Sequence, residues 1–217
     1  MNDPSQDTTR RFHGHETSNS FPGTIAYWEH RYRENGTSGL GSRGVLARFK
    51  ARFVNDYVRE HDICSVVDLG AGDGHQLRLF RLPRYVGLDT SETAIRRLRQ
   101  QFAGDDSKEF FLHDGRAING DVRLRGELVL SLDVIYHLVE DEVFERYMHD
   151  LFHCAESHVI IYSSNSEPFW RVSRHVRDRR FSSYVEDHFP AWRLERTVKN
   201  PFSPLSRSDF FVYRRGA

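Results

Sequence analysis

The sequence predicts an α/β protein built on an open, doubly wound sheet, mostly parallel, with an antiparallel C-terminal strand and helices on both faces. Three observations carry that expectation. Short apolar runs alternate with segments of helical periodicity, a glycine-dense turn follows the first of the alternating runs, and two further runs lie close together near the end of the chain. Strand, helix, strand at this spacing requires right-handed parallel crossovers, which cover both sheet faces and leave the carboxyl ends of the strands to ligands.

Taken in order, residues 1–22 are rich in Asn, Asp, Ser, Thr and His with little to bury, and read as a flexible arm. Residues 23–217 read as one domain without an internal repeat. From Thr24, the run Ile25-Ala26-Tyr27-Trp28-Glu29-His30-Arg31-Tyr32 has helical character and stops at a loop dense in breakers, Asn35 to Gly44. Val45, Leu46, Phe49, Phe53, Val54, Tyr57 and Val58 then mark one apolar face over about four turns. Five strands are expected at Ser65–Leu69, Tyr85–Leu88, Glu109–Leu112, Leu128–Leu132 and His158–Tyr162, with helices at Thr90–Phe102 and Glu140–Phe152 between them. Ser164 to Arg180 is crowded with Arg and His and reads as a lid or a solvated helix. Two late strands, Trp192–Val198 and Ser208–Tyr213, are close enough to pair antiparallel.

Composition excludes several classes. The 31 basic and 31 acidic residues cancel, so no global field draws the chain to nucleic acid or an anionic membrane. Cys64 and Cys154 stand apart, without a disulfide framework or a metal-finger spacing, and no metal site is expected. No apolar run approaches the roughly 18 residues that span a bilayer. A soluble cytoplasmic protein with a small-molecule substrate is the expectation, and the oligomeric state is not written in the sequence.

The chemistry concentrates at Asp68-Leu69-Gly70-Ala71-Gly72-Asp73-Gly74, after an apolar strand and before a short helical stretch, Gln76 to Phe80. Gly70, Ala71 and Gly72 allow a sharp turn and a ligand lying directly against the backbone. Asp89, fifteen residues past Gly74, closes the next strand beside Thr90, where a carboxylate can accept both hydroxyls of a ribose. A tight turn plus a helix-capping acid explains each feature singly but not their joint spacing. Gly-x-Gly-x-Gly is also not the Gly-x-Gly-x-x-Gly of dinucleotide binding.

This stretch resembles the first motif of the class I S-adenosylmethionine (SAM) methyltransferases, and the resemblance extends over residues 65–163 through Leu112-His113-Asp114-Gly115 and Leu130-Ser131-Leu132-Asp133-Val134-Ile135-Tyr136-His137-Leu138. It implies a Rossmann-like sheet and SAM as cofactor. By that likeness Asp114, next to Gly115, would meet the adenine amino group, and Asp133 with Val134 would sit under the methionine half. Tyr-Trp-Glu-x-Arg-Tyr followed by Gly-Thr-Ser-Gly-x-Gly-Ser looks like the amino-terminal lid of a small-molecule branch of the family, residues 24–44. There Thr37, Ser38 or Ser42 would close over the methionine carboxylate; a plain connecting loop has the same composition.

A sulfonium needs aromatic faces or carbonyl oxygens around it. Tyr27, Trp28 and Tyr32 before the glycine turn, and Tyr136 and Tyr162 near strand ends, are the candidates, and core packing is the competing role for each. Tyr136 or His137 after the fourth strand, or Tyr162 after the fifth, can make the polar contact to an acceptor, His137 also as general base or as a structural histidine. His175 and Arg179, four apart, would share a helix face suited to a carboxylate or phosphate. The expected activity is methyl transfer to a small-molecule oxygen or nitrogen, with S-adenosylhomocysteine (SAH) as product. The alternative is a SAM-consuming cyclase resembling the azetidine-2-carboxylate synthases, releasing methylthioadenosine, for which Asn165, Tyr162 or Ser203 would accept the amine's proton.

Overall fold

The computed structural model describes residues 21–114, 118, 121–167 and 173–216. Residues 1–20 of the expected arm and the candidate Gly115 lie outside the described residues. Seven strands form where β-branched and aromatic residues cluster: β1 (Ser65–Leu69), β2 (Arg84–Asp89), β3 (Lys108–Leu112), β4 (Gly126–Leu132), β5 (Ala155–Ser163), β6 (Trp192–Val198) and β7 (Asp209–Arg215). They make one sheet in the order β3-β2-β1-β4-β5-β7-β6. β1 to β5 pair in parallel, and β7 enters antiparallel between β5 and β6.

Alternation along the strands divides the core. Val66, Tyr85, Leu128, Leu130 and Ile160 pack against helices α2 (Gly44–Glu60) and α3 (Glu92–Gln101), whereas Val67, Val86, Val129, Val159 and Ile161 pack against α4 (Asp141–His153) and α5 (Phe181–His188). The period of two places neighbouring residues on opposite faces, so both layers are required for burial. The chain runs outward from β1 through β2 to β3 and then returns to β4 on the other side of β1. That reversal opens a crevice beyond the carboxyl ends of β1 and β4.

The first helix, α1 (Thr24–Arg33), is tied down beside this crevice at both ends. The Thr24 N–H and hydroxyl donate to the Glu140 carboxylate at 2.8 and 2.6 Å, and Arg97 donates to the Tyr32 carbonyl at 2.6 Å. Between them, Ser91 and Thr93 hydroxyls donate to Glu29 at 2.6 and 2.8 Å, joining α1 to the start of α3. Burial pushes the Glu29 carboxyl up, but these hydrogen bonds outweigh it and hold the group below its ordinary range.

The expected helix face carrying His175 and Arg179 does not form. Residues 173–180 are irregular, and several of their polar groups bond to the segment after β4: the Arg177 N–H donates to the Tyr136 carbonyl at 2.8 Å, and Arg179 donates to the carbonyls of Leu138 and Val139. The helix begins one residue later, at Phe181, where the fully buried Phe181 and Val185 lie one turn apart and anchor α5.

Candidate functional site

A cavity lies at the carboxyl ends of β1, β2 and β4, lined by Gly70, Ala71, Gly72, Asp89, Thr90, Asp133 and Val134, and from the α1 side by Thr24, Trp28, Tyr32 and Ser38. Gly70 and Gly72 take φ of +100° and +64°, left-handed values that side chains disfavour. A Cβ on Gly72 would run into the Ser38 hydroxyl, and one on Gly70 into Val134. The loop after α1 is therefore seated directly on the glycine turn. Ser38 fixes it there: its N–H donates to Asp73 at 3.0 Å and its hydroxyl accepts the Asp73 N–H at 2.9 Å, with the Tyr32 hydroxyl 3.0 Å away.

Asp89 reaches across from β2. Its Oδ2 accepts the Gly72 N–H at 2.8 Å and its Oδ1 the Ser91 N–H at 2.9 Å, so the acid that closes the strand also holds the turn. Burial raises its carboxyl to about 6 against those bonds. Each oxygen keeps acceptor capacity toward the cavity.

At the other end, Asp68 on β1 accepts the Tyr85 hydroxyl at 2.8 Å through Oδ2, while its Oδ1 is buried without a partner. Burial pushes this carboxyl up to about 7, against the pull of the Tyr85 hydrogen bond and of Lys50. Gln76 donates to the Ala47 carbonyl at 2.9 Å, and its Oε1 is likewise buried and unpartnered. Lys50, on α2, is ion-paired with the Asp133 carboxylate and stands 5.3 Å from the centre of the Tyr162 ring. Asp133 itself holds φ of +61°, uncommon for a residue with a side chain, and its N–H donates to the Tyr162 carbonyl at 2.8 Å. Its Oδ1 accepts the Tyr136 hydroxyl at 2.9 Å.

His137 lines the cavity edge-on to Trp28, with ring centroids 4.9 Å apart. Its Nδ1 lies 2.9 Å from the His175 carbonyl, which can only accept, so Nδ1 carries the proton. Burial lowers its pKa to about 4, so the ring is neutral near pH 7.

Several expected site residues sit elsewhere. Tyr27 does not line the cavity; its ring stacks on His175 at 4.5 Å, and Trp28 takes the inward position. Asp114 is exposed, and His113 is the residue of that segment lining the cavity. Tyr162 is fully buried among Phe49, Phe210 and Lys50. Asn165 holds the start of α5 through two hydrogen bonds with Ser182, at 2.9 and 3.2 Å. Arg179 spends its guanidinium on backbone carbonyls, on Asp141 at 2.6 Å and on the face of Phe144. His175 contributes its carbonyl to His137 and its ring to the stack with Tyr27. Tyr136 and Ser203 line a separate recess with Ser164 and Asp178.

Lys50 and Gln76 escaped the sequence reading. A signal for Lys50 was present: it lies four residues from both Leu46 and Val54, in the stripe that α2 buries. Gln76 carries no comparable mark. Among the described residues, no three His, Cys, Asp or Glu side chains converge on a metal site, and no helix is long and apolar enough to cross a membrane.

No family model matches the chain. Among solved structures it is similar to the N-methyltransferase NodS from Bradyrhizobium japonicum WM9 in complex with SAH, at 11% identity, covering 90% of this chain and 100% of that one with a TM-score of 0.70. It is also similar to magnesium protoporphyrin IX methyltransferase (ChlM) from Synechocystis PCC 6803 with bound SAM, at 17% identity, 92% and 100% coverage and a TM-score of 0.63. The methyltransferase domain of a bacterial Hen1 (CtHen1) aligns at 16% identity, 78% and 98% coverage and a TM-score of 0.60. These likenesses establish a Rossmann-like methyltransferase fold.

Proposed function

We propose that the chain is a SAM-dependent methyltransferase acting on an oxygen or nitrogen of a small molecule, with the cavity beyond β1, β2 and β4 as the cofactor site. One observation carries the reading: the buried Asp89 carboxylate grips the Gly72 N–H while keeping free acceptor capacity beside a glycine turn that no side chain can occupy. A ribose with two adjacent hydroxyls fits such a carboxylate. The residues present also fit the remainder of the cofactor. Trp28 and Tyr32 supply aromatic surface for a cation, and the unpartnered acceptors on Asp68 and Gln76 suit an ammonium. The SAM and SAH in the ChlM and NodS structures support the same assignment.

Bound SAM would supply an electrophilic methyl group. What this chain contributes is alignment and exclusion of water: α1 and the Ser38 loop cover the turn, and Asp133 with Tyr136 places a carboxylate and a hydroxyl between the cavity and the recess containing Ser203. Tyr136 is held protonated by burial and by the neighbouring Asp133, so it donates a hydrogen bond rather than taking a proton. Incubation with methyl-labelled SAM and a fractionated pool of small metabolites tests the reading. The expected result is SAH formation that requires both enzyme and one fraction, with label on an oxygen or nitrogen of the product. Methylthioadenosine made at catalytic rate from SAM alone would replace transfer by cyclisation.

A further inference from the structure

The opposite rim of the sheet, where the parallel strands begin, carries a pocket of its own, of about 310 Å3. Arg125 reaches it from just before β4, and Arg215, at the end of β7, from a position paired with Trp192 at the start of β6. His149 and His153 join them from the last turns of α4. The length of β4, about 20 Å at roughly 3.3 Å per residue, separates this rim from the cavity at the carboxyl ends. Three aromatic rings complete the lining, and no acidic residue takes part in it. Phe152 stacks on Phe189 with centroids 4.4 Å apart and meets Trp192 edge-on at 5.3 Å. Phe152 and Trp192 belong to the core, so this wall is set before any ligand arrives. The cations are not matched. Arg125 Nε is buried without a hydrogen-bond partner, and neither Arg125 nor Arg215 forms an ion pair among the described residues. Arg179 and Arg207, by contrast, each hold a carboxylate. A guanidinium cannot shed its charge, and buried donors are nearly always satisfied in folded proteins, so the acceptor here has to come from outside the chain.

That partner has to bring oxygens for two guanidiniums and a flat apolar body for the rings. A phosphate monoester on an aromatic group does both: its three terminal oxygens and its charge of about −1.5 to −2 match two arginines. His149 and His153 add an N–H each in either tautomer. A carboxylate has one charge and two oxygens, fewer than these donors can engage. We propose that the rim pocket binds a small aromatic phosphate, its ring against Phe189 and Trp192 and its phosphoryl group between Arg125 and Arg215. Because the pocket opens at the far end of β4 from Asp133, a ligand held here is not the methyl acceptor. It is a second ligand, bound independently of the reading of the other cavity as a SAM site.

Titration calorimetry with phenyl phosphate, inorganic phosphate and phenol tests this on the full chain. The wild type should bind one phenyl phosphate, roughly tenfold tighter than inorganic phosphate, as stacking on an aromatic wall implies, and phenol more weakly than either. Arg125→Met should weaken phenyl phosphate by roughly ten- to a hundredfold, the loss of charge-assisted hydrogen bonds. Urea unfolding reports whether that variant is folded; if it is not, Arg215→Met, on an exposed residue, carries the same comparison. Phenyl phosphate affinity should be the same with and without SAH. Wild-type protein that does not bind phenyl phosphate overturns the site, and so does undiminished affinity in a folded arginine variant. Equal affinity for phenyl phosphate and inorganic phosphate overturns the role of the rings. Displacement of phenyl phosphate by SAH would put the anion in the other cavity and overturn the assignment to the rim. Failure of SAH itself to bind counts against the cofactor reading alone, which separates the two failures.

Discussion

At the residue scale, the glycine turn and Asp89 were legible because their chemistry is local: a left-handed turn needs glycine, and an acid at a strand end is visible as spacing. Gly72→Val is expected to abolish SAH binding, since its side chain would meet Ser38 and Tyr32 as well as any ligand; calorimetry on folded variant protein checks this. Asp68 gives a sharper test because its carboxyl is costly. Between about pH 4, where the unfolded chain releases this proton, and about pH 7, the folded state retains it, so the group lowers stability as pH rises through that window. The groups facing it are Tyr85, Lys50 and Asp89. Asp68→Asn should raise stability by roughly 1–3 kcal/mol above pH 7 and by almost nothing near pH 4, measured by urea unfolding at both values. The same substitution should weaken SAH, the usual exchange of function for stability. What escaped at this scale was partnership. Lys50 sits in an apolar stripe whose pattern reads on without it, and Asn165 and Arg179 looked available because a sequence does not display the Ser182, Leu138 and Asp141 groups that occupy them.

At the element scale, every expected strand and all four regular helices with a strong period appeared, since burial on one face imposes a readable repeat. The segment after β5 did not follow. Its Arg side chains and the His175 carbonyl bond across to residues 136–141, and tertiary hydrogen bonds of that kind leave no periodicity, while α5 rests on just two buried anchors in eight residues. The α1 helix and its loop, residues 24–43, are held to the body mainly by polar contacts, through Glu140, Glu29, Asp73 and Arg97. Such a cover can open locally at low cost. Amide hydrogen exchange in this stretch should slow when SAH is added, with α2 unaffected. Glu29→Ala, which strips the acceptor from Ser91 and Thr93, should accelerate exchange in α1 and weaken SAH by roughly fivefold to tenfold, leaving global stability lowered by no more than about 1–3 kcal/mol. Equal protection of α1 with and without SAH would make it a fixed part of the wall.

At the scale of the whole molecule, the sheet order explains why residues distant in sequence share one site: the turn after β1, the acid ending β2 and the Asp133 segment after β4 meet where the strand order reverses, and α1 with α2 closes them from the amino-terminal side. The topology was legible because parallel crossovers admit few arrangements. The occupant of the second recess was not, since Ser164, Asp178 and Ser203 come together only through the ending of the chain around β7. The central claim is that this junction holds the adenosine end of SAM through Asp89. Calorimetric titration of SAH into the wild type and into Asp89→Ala tests it most directly, with the exposed Asp105→Ala as control. One SAH per chain, bound roughly ten- to a hundredfold more weakly by Asp89→Ala and unchanged by Asp105→Ala, is the predicted result. Wild-type affinity in a folded Asp89→Ala protein would contradict it.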